Sequence, residues 1–122
     1  MNDNFIEFSR NENGIVIAMF NVVHIDVDKA RELIKRRNEF TNHQPFRTLI
    51  DVTKVKGISK EARDVFGSAE GTKNVERAAF ITNSPLSAFL ANFLIKVNLT
   101  KAKSNVRLFT NKENAMQWLI ES

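Results

Sequence analysis

The chain has 122 residues, 43% of them hydrophobic and 26% charged, a balance that fits one soluble globular domain spanning residues 1–122 and excludes a disordered or fibrous chain. The absence of cysteine removes disulfides, thiolate metal sites, haem attachment and a cysteine nucleophile together. The formal net charge of +4 is unevenly placed, because Arg77 to Lys112 holds six bases and no acid while the remainder carries twelve bases against fourteen acids.

Met1 to Arg10 is polar and acidic without an apolar run, so no export leader is expected and the cytoplasm is the default compartment. Phe5-Ile6-Glu7-Phe8 and Gly14 to Phe20 read as two strands. Asn11-Glu12-Asn13-Gly14 joins them, its Asn-Gly supplying the positive-φ residues of a hairpin turn. From Asp26 to about Thr41 the apolar residues Val27, Ala30, Leu33, Ile34 and Phe40 recur at helical spacing, with Asp26 or Asp28 placed to cap the first amides. Phe46 to Val52 follows Pro45 as a short apolar run suited to a central strand, and Thr53 to Ile58 is a loop. Ser59 sits just before Lys60-Glu61-Ala62-Arg63-Asp64-Val65-Phe66 as the cap of a second helix that fades between Gly67 and Gly71.

Arg77 to Asn83 is a further buried strand, and Ser84-Pro85 opens a third helix running to about Asn98. Val106 to Phe109 is the last strand. Asn111 caps a terminal helix with Ala115, Met116, Leu119 and Ile120 on one side. Strands alternating with helices call for βαβ units, hence an α/β fold: a mixed, largely parallel sheet with an N-terminal hairpin and about four helices packed on it.

The third helix is apolar nearly all the way round, whereas a helix covering a sheet needs one stripe. Leu86, Phe89, Leu90, Phe93, Leu94 and Val97 are therefore candidates for a homodimer interface or an apolar-ligand contact, the alternative being burial by neighbouring helices of the same chain. The stretch is too short to span a bilayer, although Lys96, Lys101 and Lys103 beyond it keep a lipid or membrane surface among the partners considered. The basic segment suits an acidic partner or simply a solubilising face. No recognition motif or aromatic stacking platform accompanies its bases, which weighs against nucleic acid.

Signals for bond-making chemistry are few. His24 and His43 lack a second His or a carboxylate at metal-site spacing, so no metal is expected. His24, next to Asp26 at a strand-to-helix junction, reads as a surface or capping residue before it reads as an acid or base. Gly67-Ser68-Ala69-Glu70-Gly71-Thr72-Lys73 has the wrong glycine spacing and residue order for a phosphate loop. Ser59, Ser84 and Ser87 lack the Gly-x-Ser-x-Gly setting of an activated nucleophile. No catalytic residue and no cofactor is expected.

One segment carries more. The run from Leu49-Ile50-Asp51-Val52-Thr53-Lys54-Val55-Lys56-Gly57-Ile58 to Ser59-Lys60-Glu61-Ala62 resembles the STAS domains of anti-sigma-factor antagonists, in which a strand ending in aspartate leads through a loop into a serine-bearing helix start. The hairpin, the Asp-led first helix, the Ser-Pro before an apolar helix and the closing Arg-Leu-Phe-Thr-Asn-Lys-Glu-Asn-Ala-Met-Gln-Trp-Leu occur in the order seen in the SpoIIAA-like group of small bacterial STAS/SEC14-type proteins. The likeness spans nearly the full length.

The resemblance implies a SpoIIAA-like domain that regulates by binding another protein. On it, Asp51 matches the aspartate closing the STAS strand, Val55 and Ile58 the apolar loop positions, and Ser59 the aspartate of the family's Asp-Ser-Ser-Gly stretch. Lys60 and Glu61 stand where the phosphorylated members carry serines, so the phospho-acceptor is absent there. Ser59 is left as a helix cap that an anion could favour, and Glu61 as a standing negative charge. The expected docking surface is Asp51, Thr53, Lys54, Ser59, Lys60, Glu61 and Arg63. The alternative is a small carrier or sensor of an apolar, lipid-like ligand held by the third helix.

Overall fold

The computed structural model describes residues 4–84 and 105–121. The helix expected from Pro85 to Asn98 lies outside them, and with it Leu86, Phe89, Leu90, Phe93, Leu94, Val97, Lys96, Lys101 and Lys103.

The hairpin forms as its sequence requires. Strands β1 (Ile6–Arg10) and β2 (Val16–Phe20) pair antiparallel, Ile6 opposite Phe20. Asn11 organises the turn, its Oδ1 accepting from the amides of Asn13 and Ile15. Within the turn only Gly14, at φ +80°, takes the left-handed conformation; the Gly14 amide donates to Asn11 O and the Asn11 amide to Ile15 O, a longer turn that closes on a left-handed glycine and needs no positive φ at Asn13.

Helix α1 (Val27–Phe40) begins at Asp26, whose side chain accepts from the Lys29 amide, and ends at Thr41. Its buried residues Ala30, Leu33, Ile34, Arg37 and Asn38 follow helical spacing. Strands β4 (Phe46–Asp51) and β6 (Val75–Ile81) are central, and β7 (Val106–Phe109) is the outer parallel strand. The sheet order is β1-β2-β4-β6-β7, parallel throughout except for the hairpin, which makes it the mixed, largely parallel sheet expected.

Two elements depart from the sequence reading. The segment read as loop from Thr53 to Ile58 contains a strand, β5 (Gly57–Ile58), which pairs in parallel with β3 (His24–Ile25) as a separate two-stranded sheet. Such two-residue strands leave no periodicity to read. The chain expected to fade after α2 (Lys60–Phe66) instead re-forms as the one-turn α3 (Ala69–Thr72), capped by Ser68 Oγ accepting from the Gly71 amide. Among the described residues there are thus four helices, the fourth being α4 (Lys112–Ile120) with Asn111 at its N-cap.

Strand alternation sends side chains to two faces of the sheet. One face carries Ala18, Phe20, Val52 and Phe80, packed with α1 and α2 residues. The other carries Ile15, Leu49, Ala79 and Ile81 beneath α4. The inward residues of α4 are Ala115, Trp118 and Leu119. Ile120, expected on the buried side, is 49% exposed, and Trp118 takes the inner position because it can lie against Phe109, ring centroids 5.7 Å apart.

Candidate functional site

The segment that leaves β4 is shaped by its own side chains. Asp51 Oδ1 accepts from both the amide and the hydroxyl of Thr53, at 2.9 and 2.7 Å, closing an Asx turn at the end of the strand. Val52, Val55, Ile58 and Ala62 are buried, anchoring the segment at short intervals along its length. The backbone adds further ties. The Lys56 and Gly57 amides donate to the Val23 carbonyl, and the Ser59 amide donates to that of Ile25. Where the two short strands meet, a Cβ on Gly57 would lie 2.9 Å from Nδ1 of His24, so a larger residue there would push that exposed ring aside.

With its apolar residues turned inward, the segment presents charge outward. Lys54, Lys56, Lys60 and Glu61 are exposed, while Thr53, Ser59 and Arg63 are half-buried among them. Lys54 Nζ reaches Asn21 Oδ1 at 3.3 Å, and Lys60 pairs with Asp64 one turn along α2 at 3.2 Å. Both contacts are solvent-exposed and hold little energy, so these side chains can exchange partners at small cost. Ser59 Oγ accepts from the Ala62 amide and is the N-cap of α2. All seven residues singled out in the sequence therefore lie between the end of β4 and the first turns of α2. Val23, 59% exposed, lies beside them through its bonds to Lys56 and Gly57 and had no signal in the sequence.

A second feature is internal. Between the sheet and helices α1, α2 and α3 lies an apolar cavity of about 120 Å³. Among the described residues its walls include Ala18, Thr48, Ala78 and Phe80 from the sheet, Leu33 and Arg37 from α1, and Phe66 from α2. Arg37 is 7% exposed and is held by carbonyls, donating from Nη1 to Gly71 O at 2.8 Å and from Nη2 to Glu70 O at 3.2 Å. It thereby caps the C-terminus of α3 and lies over the Phe46 ring, 5.5 Å from its centre. Burial pushes its pKa down, and the Glu70 carboxylate opposes that shift. The sequence offered no pointer to this role, because the acceptors are backbone carbonyls more than thirty residues away.

Arginines do similar work at the other face. Arg47 on β4 and Arg77 on β6 are neighbours in register, and both donate to the last carbonyls of α4. Arg47 Nη1 reaches Leu119 O at 2.8 Å, and Arg77 Nη1 reaches Trp118 O at 2.7 Å. Arg77 and Arg107 also lie 5.3 and 5.1 Å from the Trp118 ring centre. Two of the six bases in the basic segment are accordingly engaged in holding a helix.

The histidines occupy separate places. His24 is exposed on β3, and its charge contributes, after the Lys29 amide and the Lys29 charge, to holding the Asp26 carboxyl below its usual range. His43 follows α1 in a left-handed conformation, φ 57°, at the edge of a polar surface cleft with Lys35, Glu39 and Glu70. Among the described residues no three His, Cys, Asp or Glu side chains gather as metal ligands. No helix among them is long and apolar enough to cross a membrane.

This arrangement is similar to that in a crystal structure of an uncharacterized protein from the DUF3478 family with a SpoIIAA-like fold, from Shewanella loihica PV-4. The TM-score is 0.68 at 19% sequence identity, over 93% of this chain and 91% of that one. The likeness establishes a SpoIIAA-like fold. No curated protein matches the chain in sequence. Residues 9–122 match the family described as Domain of unknown function (DUF7793), and the chain belongs to that family.

Proposed function

We propose that this protein is a non-enzymatic, STAS-like regulatory domain that docks a protein partner through the segment from Asp51 to Arg63. The observation that carries the reading is the one-sidedness of that segment. Its backbone and apolar residues are fixed against the fold, while Lys54, Lys60 and Glu61 face solvent on a support that does not have to be ordered when a partner arrives. Ser59 serves as an N-cap, and the lysine and glutamate after it make a surface with fixed charge rather than one switched by phosphate. Self-association through Leu86, Phe89, Leu90, Phe93, Leu94 and Val97 belongs to the same reading, and sedimentation of a Phe89→Asp variant checks it.

The docking surface is tested by affinity capture from a lysate of the native host, with wild type and a Lys60→Glu/Glu61→Lys variant as baits. Proteins retained by wild type and lost from the variant are the expected result. An identical set on both baits overturns the assignment.

The apolar cavity favours a second reading, a carrier or sensor of an apolar ligand. In this reading the ligand lies against the described walls under α1, α2 and α3. Native mass spectrometry that finds no added lipid or hydrocarbon bound counts against this reading.

A further inference from the structure

We infer that the cavity between the sheet and helices α1, α2 and α3 takes a small uncharged apolar molecule, of the size of benzene or a short branched alkane, in preference to a charged one. The inference rests on the carrier reading and narrows its ligand class.

Size comes first. Protein interiors are close-packed, with few voids larger than a water molecule. A volume of about 120 Å³ is far larger than that, and engineered apolar cavities of about 150 Å³ stay dry and admit benzene or xenon. The space therefore suits six or so carbon atoms.

Chemistry comes second. Apart from three polar side chains, the described wall is aliphatic and aromatic, with Ala18, Ala78 and Phe80 presenting only carbon. Thr48 Oγ1 donates to Val16 O at 2.9 Å, and Thr72 Oγ1 donates to Ser68 O at 3.1 Å. Arg37 makes four hydrogen bonds, two to carbonyls of α3 and two to Asn38 Oδ1, from a guanidinium with five N–H groups. Water needs two to four polar partners to reside in a cavity, and the described wall offers it only one guanidinium N–H and the acceptor lone pairs of two threonine hydroxyls. A carboxylate or phosphate placed inside fares worse, since it would lose hydration and be met, among the described walls, by little beyond a single remaining guanidinium N–H. A neutral hydrocarbon loses nothing polar on entry and gains dispersion contacts that the empty space denies its walls.

The test uses the full chain with methyl-labelled isoleucine and leucine, titrated with benzene and separately with decanoate. Benzene is expected to shift the methyl resonances of Ile25, Leu33 and Ile58, which line the cavity, and to raise Tm by about 4 °C at ten times its Kd. Ala78→Leu fills the space and is expected to weaken benzene binding at least tenfold. Ala18→Val, a smaller change on the neighbouring wall, is expected to weaken it severalfold and serves where Ala78→Leu does not fold. Methyl signals unmoved at saturating benzene overturn the inference, as does undiminished affinity in the folded filling variants. Decanoate shifting the same methyls as tightly as benzene leaves the carrier reading standing and overturns the small-uncharged class. Neither probe binding overturns both.

Discussion

The two faces of the sheet are finished differently. Beneath α4 the packing is closed: Ala115 and Leu119 are fully buried, Trp118 lies against Phe109, and Arg47 and Arg77 fix the helix by its last carbonyls. Beneath α1, α2 and α3 three helices do the covering, yet a cavity remains and one buried arginine bridges α1 to α3. Among the described residues one helix covers the first face, its carbonyl end anchored to the strands below. On the other face the described anchoring runs from helix to helix, and a pocket lies between these helices and the sheet. The larger buried cluster, from Ile6 to Phe80, lies on the face that keeps a pocket, and the smaller one lies beneath α4.

The largest expected effect tests the closed face. Leu119→Ala should cost about 3–5 kcal/mol in urea unfolding, because a fully buried side chain is removed from surroundings that cannot collapse. Leu33→Ala, at the cavity wall, should cost about 2–3 kcal/mol, since its looser surroundings can relax toward the gap. Equal costs, or the reverse order, would erase the contrast.

Next comes the anchor. Arg77→Met keeps the stem over Trp118 but removes the bonds to Trp118 O and Glu121 O, and is expected to cost about 1.5–2 kcal/mol. Increased amide exchange confined to the last turn of α4 would locate the loss. On the cavity face, Ser59→Ala removes the α2 cap and should lower stability by about 1 kcal/mol; a thermal melt unchanged by it would show that the α2 start is held by its surroundings alone.

The smallest effect is one of pH. Asp26 accepts from the Lys29 amide and has its pKa lowered chiefly by that bond, with the Lys29 and His24 charges assisting. A depressed carboxylate pKa contributes stability that is present above the usual value near 4 and is lost as pH falls through the lowered one. Asp26→Asn keeps a capping side chain without the charge. Its Tm should therefore fall slightly below wild type at neutral pH, and the gap should close as pH drops below about 4.

Sequence periodicity and capping sufficed for the hairpin, α1, the parallel strands and α4, because each announces itself within a dozen residues. Ser59 and Asn111 occupy the N-cap positions read for them, and of the two candidates Asp26 and Asp28 it is Asp26 that caps α1. What escaped reading is tertiary. The β3–β5 pair is two residues per strand, α3 is one turn, and the cavity is a gap between elements that no single segment encodes. The roles of Arg37, Arg47 and Arg77 escaped for a related reason, since backbone carbonyls have no residue signature. The resemblance carried by Leu49 to Ala62 led to the right fold, while Lys60 and Glu61 marked where this chain leaves the phosphorylated pattern.

The strand order β1-β2-β4-β6-β7 is also the order of synthesis. No later strand has to wedge itself between two earlier ones, so a nascent chain leaving the ribosome can add each new strand to the growing rim of what already exists. Each strand of this sheet pairs with the sheet strand made just before it, which keeps loop-closure entropy low.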